Sequence, residues 1–218
     1  MACFAVGVEI ETAAPLIPPR PTLNKLRAVA AECKACHLWK IGTQTVFGEG
    51  KRTSLIMFVG EQPGDKEDLS GRPFVGPAGA LLDQSLEEAG IDRSKVYVTN
   101  VVKHFKWEPR GKRRIHKKPN GLEITACRPW LESEIAVIQP RAIICLGATA
   151  AQAVIGPKFK VSIQRGQFVA SALAEYVTAT VHPSSILRAP GDEVRRSERA
   201  RFVEDLKKIR AALGDIAA

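Results

Sequence analysis

A carboxylate in a glycine-rich turn, Glu61 of Gly60-Glu61-Gln62-Pro63-Gly64, and a histidine ahead of a proline, His182 of His182-Pro183-Ser184-Ser185, are the first candidates for chemistry in this chain. A carboxylate can hold a water or take a proton, and an imidazole can donate a hydrogen bond to developing negative charge. Asn100 carries one amide acceptor and one amide donor, enough to read the edge of a planar ligand, although its residue type suits a helix N-cap as well. Ser184 and Ser185 can bind phosphate through their hydroxyls, and His116 adds an imidazole that is a competent nucleophile near neutral pH. Phe74 offers a ring face, whether to a core or to a stacked ligand. Cys33 and Cys36 form a C-x-x-C pair, a pattern of metal or redox chemistry in a reduced chain.

These residues need a scaffold. Four apolar, β-branched runs read as buried strands: 55–59, 96–99, 142–146 and 177–181. Helical patterns lie between and after them, at 78–89, 122–138, 148–154 and 193–213, and Thr22 can cap an earlier helix. Segment 159–170 is expected to add a small antiparallel piece, and 103–118 reads as a basic loop. Strands alternating with helices imply an α/β fold, a single three-layer α/β/α domain around a four-stranded parallel sheet. The expected limits are a proline-rich lead-in at 1–21, the domain at 22–213 and a tail at 214–218. Ligands of open α/β sheets bind beyond the carboxyl ends of the strands. There the sequence sets Glu61, Asn100, Thr149 and His182, each just past a strand.

Composition narrows the partners. Apolar residues make 45% of the 218 positions and charged residues 25%, so the chain is an ordinary globular one. No run of about 18 apolar residues occurs, so no membrane span and no secretory leader is expected, and a cytoplasmic location is. Five cysteines, an odd number, argue against a disulfide scaffold. Lys and Arg exceed Asp and Glu by 32 − 23 = 9. Between 103 and 118 eight basic residues face the single acid Glu108, a focused patch fit for a polyanion.

The motifs then resemble a known family. Gly60 to Gly64 followed by Asp65 and by Gly71-Arg72-Pro73-Phe74-Val75-Gly76 is similar to the first motif of the uracil-DNA glycosylase superfamily, and His182 to Ser185 to its second. The layout from about Leu26 to Leu206 resembles the iron–sulfur family 4 enzymes. Lys112-Arg113-Arg114-Ile115-His116, and Gln62 where family 4 usually has Ala, resemble the UdgX family.

The resemblance implies a DNA glycosylase acting as a monomer on uracil-containing DNA, single- or double-stranded. Phe74 would stack on the flipped base, Asn100 would read its edge, and His182 would stabilise the departing uracil anion. Gln62, Gly64, Asp65, Asp68, Arg114, Ser184 and Ser185 would complete substrate binding. In UdgX-like chemistry His116, assisted by Glu61, bonds to C1′ of the abasic site and traps the protein. In the conventional alternative Glu61 serves a water and the enzyme turns over; a non-catalytic binder of such DNA is a third reading. Cys33, Cys36, Cys127 and His104, the last standing where family 4 has a cysteine, would hold a [4Fe–4S] cluster. Three cysteines and a histidine also make a good zinc set.

Overall fold

The computed structural model describes residues 12–214. Alternation within each strand explains why a sheet forms and why it is covered twice. In β1 (Ile56–Gly60), Ile56 and Phe58 point to one face while Met57 and Val59 point to the other. β2 (Val96–Asn100) pairs with it in parallel, as does β5 (Ala142–Leu146), which in turn pairs with β6 (Tyr176–Thr180). The order β2-β1-β5-β6 is that of a doubly wound sheet.

One face is covered by α1 (Leu23–Ala30), α4 (Gly121–Ile138) and α5 (Ala148–Val154), whose Leu26, Trp130 and Ala151 pack against Met57, Tyr97 and Ile143. The other is covered by α3 (Pro77–Ala89) and α8 (Asp192–Leu213), with Leu82, Leu86, Phe202 and Leu206 against Phe58, Val98 and Ile144. Two such apolar cores supply the main drive to fold. The expected three-layer α/β/α fold with its parallel four-stranded sheet is the observed one. Among the described residues no helix is long and apolar enough to cross a membrane.

Local signals set several boundaries. Thr22 Oγ1 accepts the Lys25 N–H at 3.3 Å and starts α1, as its sequence suggests. Asn120 and Glu123 form a reciprocal cap on α4. Part of the proline-rich lead-in is docked: Ala13 is fully buried and its N–H donates to the Ala126 carbonyl at 2.9 Å. Residues 1–11 of that lead-in and 215–218 of the expected tail lie outside the described residues, as does Cys3.

Two segments differ from the sequence reading. Residues 103–118 are not simply a loop: β3 (Trp107–Arg110) and β4 (Arg113–His116) form an antiparallel hairpin apart from the main sheet. Its two-residue turn has Gly111 at φ 59°, the left-handed conformation that a tight hairpin turn requires. Segment 159–170 contains one short helix, α6 (Val161–Gln164), and its antiparallel piece is the single bridge between Val169 and Val177. Two short helices, α2 (Asp65–Ser70) and α7 (Pro183–Leu187), start just past β1 and β6.

Candidate active site

At the carboxyl edge of the sheet lies a cavity of about 760 Å³, walled by Glu61, Phe74, Asn100, His116, Thr149 and His182. Glu61 and His182 follow β1 and β6, Asn100 ends β2, Thr149 opens α5, Phe74 stands in the turn after α2, and His116 arrives from the end of the hairpin. Glycines let the walls close. A Cβ on Gly60 would collide with Asn100 Oδ1 and come within 2.9 Å of the Phe74 ring. Phe74 holds φ at 56°, a strained value for a residue with a side chain. The strain persists because Phe74 is pressed on α3, where a Cβ at Gly79 would overlap the Phe74 carbonyl.

Glu67 ties the two glycine turns together. Its carboxylate accepts the Gly76 N–H at 2.7 Å and the Gly64 N–H at 3.2 Å, which holds the Gly60–Gly64 turn against the Phe74 turn. Sequence reasoning singles out neither this residue nor Gly79. The spacing of Glu67 three residues after Gly64 is the signal that could have found it.

The charged groups divide their roles by neighbour. Thr149 Oγ1 donates to Glu61 Oε2. That leaves Glu61 Oε1 facing His116 Nε2 across 3.4 Å. Burial pulls the His116 pKa below the usual imidazole value, the nearby Glu61 charge works against this, and Arg188 adds to it. Burial pushes His182 down further, to about 4, with Arg188 and His116 contributing in the same direction. His182 Nδ1 accepts the Ser184 backbone N–H at 3.1 Å, so the proton of the neutral ring belongs on Nε2. The ring is thereby a donor whose body forms part of the cavity wall.

The residues predicted from sequence fall into three groups. Glu61, Gln62, Gly64, Phe74, Asn100, His116, His182, Ser184 and Ser185 all line the cavity. Ser184 Oγ lies 2.8 Å from His182 Nδ1, and Ser185 Oγ donates to the His182 carbonyl at 2.7 Å, so both hydroxyls shape the histidine turn.

Asp65, Asp68 and Arg114, expected at the substrate, sit beside the cavity and bind one another. Arg114 Nε meets Asp65 at 2.5 Å and its Nη1 meets Asp68 at 2.6 Å, while its guanidinium lies over the Phe105 and Trp107 rings. The Gln62 amide likewise grips the hairpin: it donates to the carbonyls of Lys106 and Lys117 and accepts the Lys106 N–H, all near 3.0–3.1 Å. Both devices hold the hairpin that ends in His116.

The third group is the cysteine corner. Cys33, Cys36 and Cys127 are free thiols that share a corner: burial is the first cause that raises the pKa of Cys36 and of Cys127, and nearby cysteines, Cys33 for Cys36 and both Cys33 and Cys36 for Cys127, raise it further. Cys33 Sγ accepts the Trp130 indole N–H at 3.3 Å and Cys127 Sγ the Lys103 N–H at 3.2 Å. Such N–H···S contacts suit a metal-bound thiolate. Among the described residues no three His, Cys, Asp or Glu side chains converge as a single metal ion demands. His104, expected as the fourth ligand, hydrogen-bonds Thr45 Oγ1 through Nε2 at 2.9 Å. Cys145 is fully buried in β5.

A hydrogen-bonding amide, a ring face, a buried neutral histidine and a carboxylate at one sheet edge agree with the comparison to known proteins. Residues 47–207 match the uracil DNA glycosylase superfamily. The chain belongs to that superfamily. Similar relatives within it include the type-4 uracil-DNA glycosylase of Sulfurisphaera tokodaii, 39% identical over 197 residues that cover 87% of this chain and 84% of the relative. The type-4 enzyme of Thermotoga maritima is 40% identical over 195 residues, covering 87% and 96%. A type-5 uracil-DNA glycosylase of Pyrobaculum aerophilum is 27% identical over 183 residues, covering 76% and 77%. The superfamily match spans every wall of the cavity and the whole hairpin, and it begins after Cys33 and Cys36.

Proposed function

We propose that this chain excises uracil from DNA, acting as a monomer. The observation that carries the reading is the cavity itself, where Asn100, Phe74, His182 and Glu61 meet at one sheet edge in a chain of this superfamily. A flipped uracil would lie on Phe74 with its edge toward the Asn100 amide, which refuses cytosine's amine where it expects a carbonyl. The C1′–N1 bond breaks with both electrons leaving on uracil. His182 Nε2–H steadies the resulting anion at O2 without giving up its proton.

What reaches the sugar separates two versions of this reading. The relatives named type-4 uracil-DNA glycosylases favour hydrolysis with turnover. Water attacks C1′ and passes a proton to Glu61, and free abasic DNA leaves. One specific observation favours a second version: a neutral-leaning imidazole, His116, stands 3.4 Å from Glu61 at the same wall. There a ring nitrogen of His116 bonds to C1′, its N–H proton passes to Glu61, and the protein stays on the DNA. Incubation with a uracil-containing oligonucleotide, followed by uracil release assays and a denaturing gel, tests both. Released uracil with no shifted band supports hydrolysis. A shifted band that disappears in His116→Ala supports the covalent version. Absence of any released uracil overturns the proposal and leaves a non-catalytic binder.

For the cysteine corner, the donor set fits a [4Fe–4S] cluster held by Cys33, Cys36, Cys127 and His104, with zinc as the competing occupant. A multi-iron cluster spreads its ligands wider than one ion does, in keeping with thiols that share a corner without converging. When bound, such a group would brace α4 against the segment after β2 and need take no part in the chemistry. Metal and sulfide analysis of protein purified without oxygen decides it: iron with sulfide supports the cluster, and zinc without sulfide overturns it.

A further inference from the structure

A lysine and a glutamate are sealed behind the cavity, on the side of α4. Their side chains are 1% and 0% exposed, and Lys103 Nζ lies 2.6 Å from Glu134 Oε2. Neither lines the cavity, and the chemistry proposed above uses neither. Replacing a buried ion pair by well-packed apolar residues is often neutral or stabilising, so stability alone does not explain this pair.

The hydrogen bonds identify that role. A lysine ammonium has three protons, and three acceptors meet it: Glu134 Oε2 at 2.6 Å, Thr99 Oγ1 at 2.6 Å and the backbone carbonyl of Asn100 at 2.8 Å. Glu134 is itself fixed by Tyr97 Oη at 2.8 Å, the Gly48 N–H at 3.1 Å and the Thr99 hydroxyl at 2.9 Å. The anchor is thus rigid on every side, and its one contact that leads to the site is Asn100.

Beyond β2 the chain is strapped to the loop that carries Glu61. The Val101 N–H donates to the Gly60 carbonyl at 2.9 Å and the Val102 N–H to the Glu61 carbonyl at 3.0 Å. Lys103 then folds its side chain back three residues and grips the Asn100 carbonyl from inside, while its own N–H donates to Cys127 Sγ at 3.2 Å. Asn100 Oδ1 is already so close to Gly60 that a Cβ there would collide with it. A small rotation of the Asn100 peptide therefore changes where its amide points. Reading a base edge tolerates errors of only about 0.5 Å.

We infer that Lys103, anchored by Glu134, is a positioning residue for Asn100 and through it sets the discrimination of uracil from cytosine. The inference rests on the uracil reading above. Lys103→Met/Glu134→Gln removes both charges, and the amide oxygen that Glu134→Gln introduces can still accept from the Gly48 N–H and the Tyr97 hydroxyl, so no buried charge is stranded. Lys103→Met alone leaves Glu134 uncompensated and is expected to melt at a lower temperature than the double variant.

The double variant is expected to excise uracil about tenfold more slowly, the worth of one charge-assisted hydrogen bond, with a lower ratio of uracil to cytosine excision. Its crystal structure is expected to show the Asn100 peptide displaced. Lys103→Arg, which keeps the charge but moves the donor, gives the same readouts should the double variant not fold. A slower rate with an unchanged uracil-to-cytosine ratio and an unmoved Asn100 would overturn the inference, because it describes a merely structural pair. If the unaltered protein releases no uracil, the proposed function fails while the position of Asn100 in the variants still decides this point.

Discussion

In the proposed reaction His182 serves as a donor because it is neutral, and it is neutral because it is buried. Its pKa of about 4 leaves the ring uncharged throughout the physiological range, with Nδ1 committed to Ser184 and Nε2–H free for the ligand. Excision should therefore show no loss from His182 protonation between pH 8 and about pH 5. His182→Ala should slow single-turnover excision about 100-fold, the usual cost of one donor to a developing anion. Stability carries the opposite signature. The folded pKa lies below that of the unfolded chain, so on acidification the unfolded state takes up the proton first. Stability falls from about pH 6.5 toward pH 4, and urea melts of wild type and His182→Ala across that window should diverge. Parallel melts would show that His182 is solvated. Glu61→Gln keeps a partner for Thr149 but loses the charge that assists attack. It should cost about 100-fold in single-turnover rate, with folding unaltered by thermal melt.

At the scale of elements, the hairpin is what the sequence hid. The four strands of the sheet were legible because apolar, β-branched runs end in Gly60, Asn100, Gly147 and His182, and the carboxyl ends of parallel strands are where sites assemble. Trp107-Glu-Pro-Arg-Gly-Lys-Arg-Arg-Ile-His116 shows no alternation to mark β3 and β4. Only Gly111 betrayed a turn. Its stability comes from long-range partners, which no local pattern announces: Gln62 on Lys106 and Lys117, Arg114 on Asp65 and Asp68, and the Trp107 indole N–H on the Ile41 carbonyl. For the same reason the grip of Gln62, Asp65, Asp68 and Arg114 on the hairpin is not legible in the sequence. Arg114→Ala leaves the fully buried Asp68 with only the Thr43 N–H and should destabilise the protein by about 3 kcal/mol. Gln62→Ala should change stability less but free the hairpin. Trypsin then cuts between Arg110 and Arg113 faster than in wild type, while sites in α8 keep their native rate. Unchanged cleavage in both variants would mean that the hairpin is held by its Trp107 contact alone.

For the whole molecule, the surplus of nine positive charges is useful only if it lies where DNA must pass. The tip and stem of the hairpin place Arg110, Lys112 and Arg113 in solvent, and Lys118 reaches the cavity wall, so the charge borders the mouth that a flipped base would enter. Elsewhere much of the basic surface is paired within the fold, as in Arg165 with Asp205 and Glu198, Arg141 with Glu175 and Arg199 with Glu88. Paired arginines release few counterions from a nucleic acid, whereas the exposed tip can. Each phosphate contact contributes a slope of about −0.7 in log affinity against log salt for single strands. Lys112→Gln/Arg113→Gln should therefore flatten the slope by about 1.4 and weaken binding at low salt. Single-turnover excision at saturating protein should be unchanged, because neither residue lines the cavity. The measurement is a salt titration of oligonucleotide binding by fluorescence anisotropy for both proteins. Equal slopes would move the DNA path away from the hairpin, toward the basic surface of α8. A lower saturated rate with an altered slope would mean that the tip also orders His116, joining the electrostatic and positioning roles in one element.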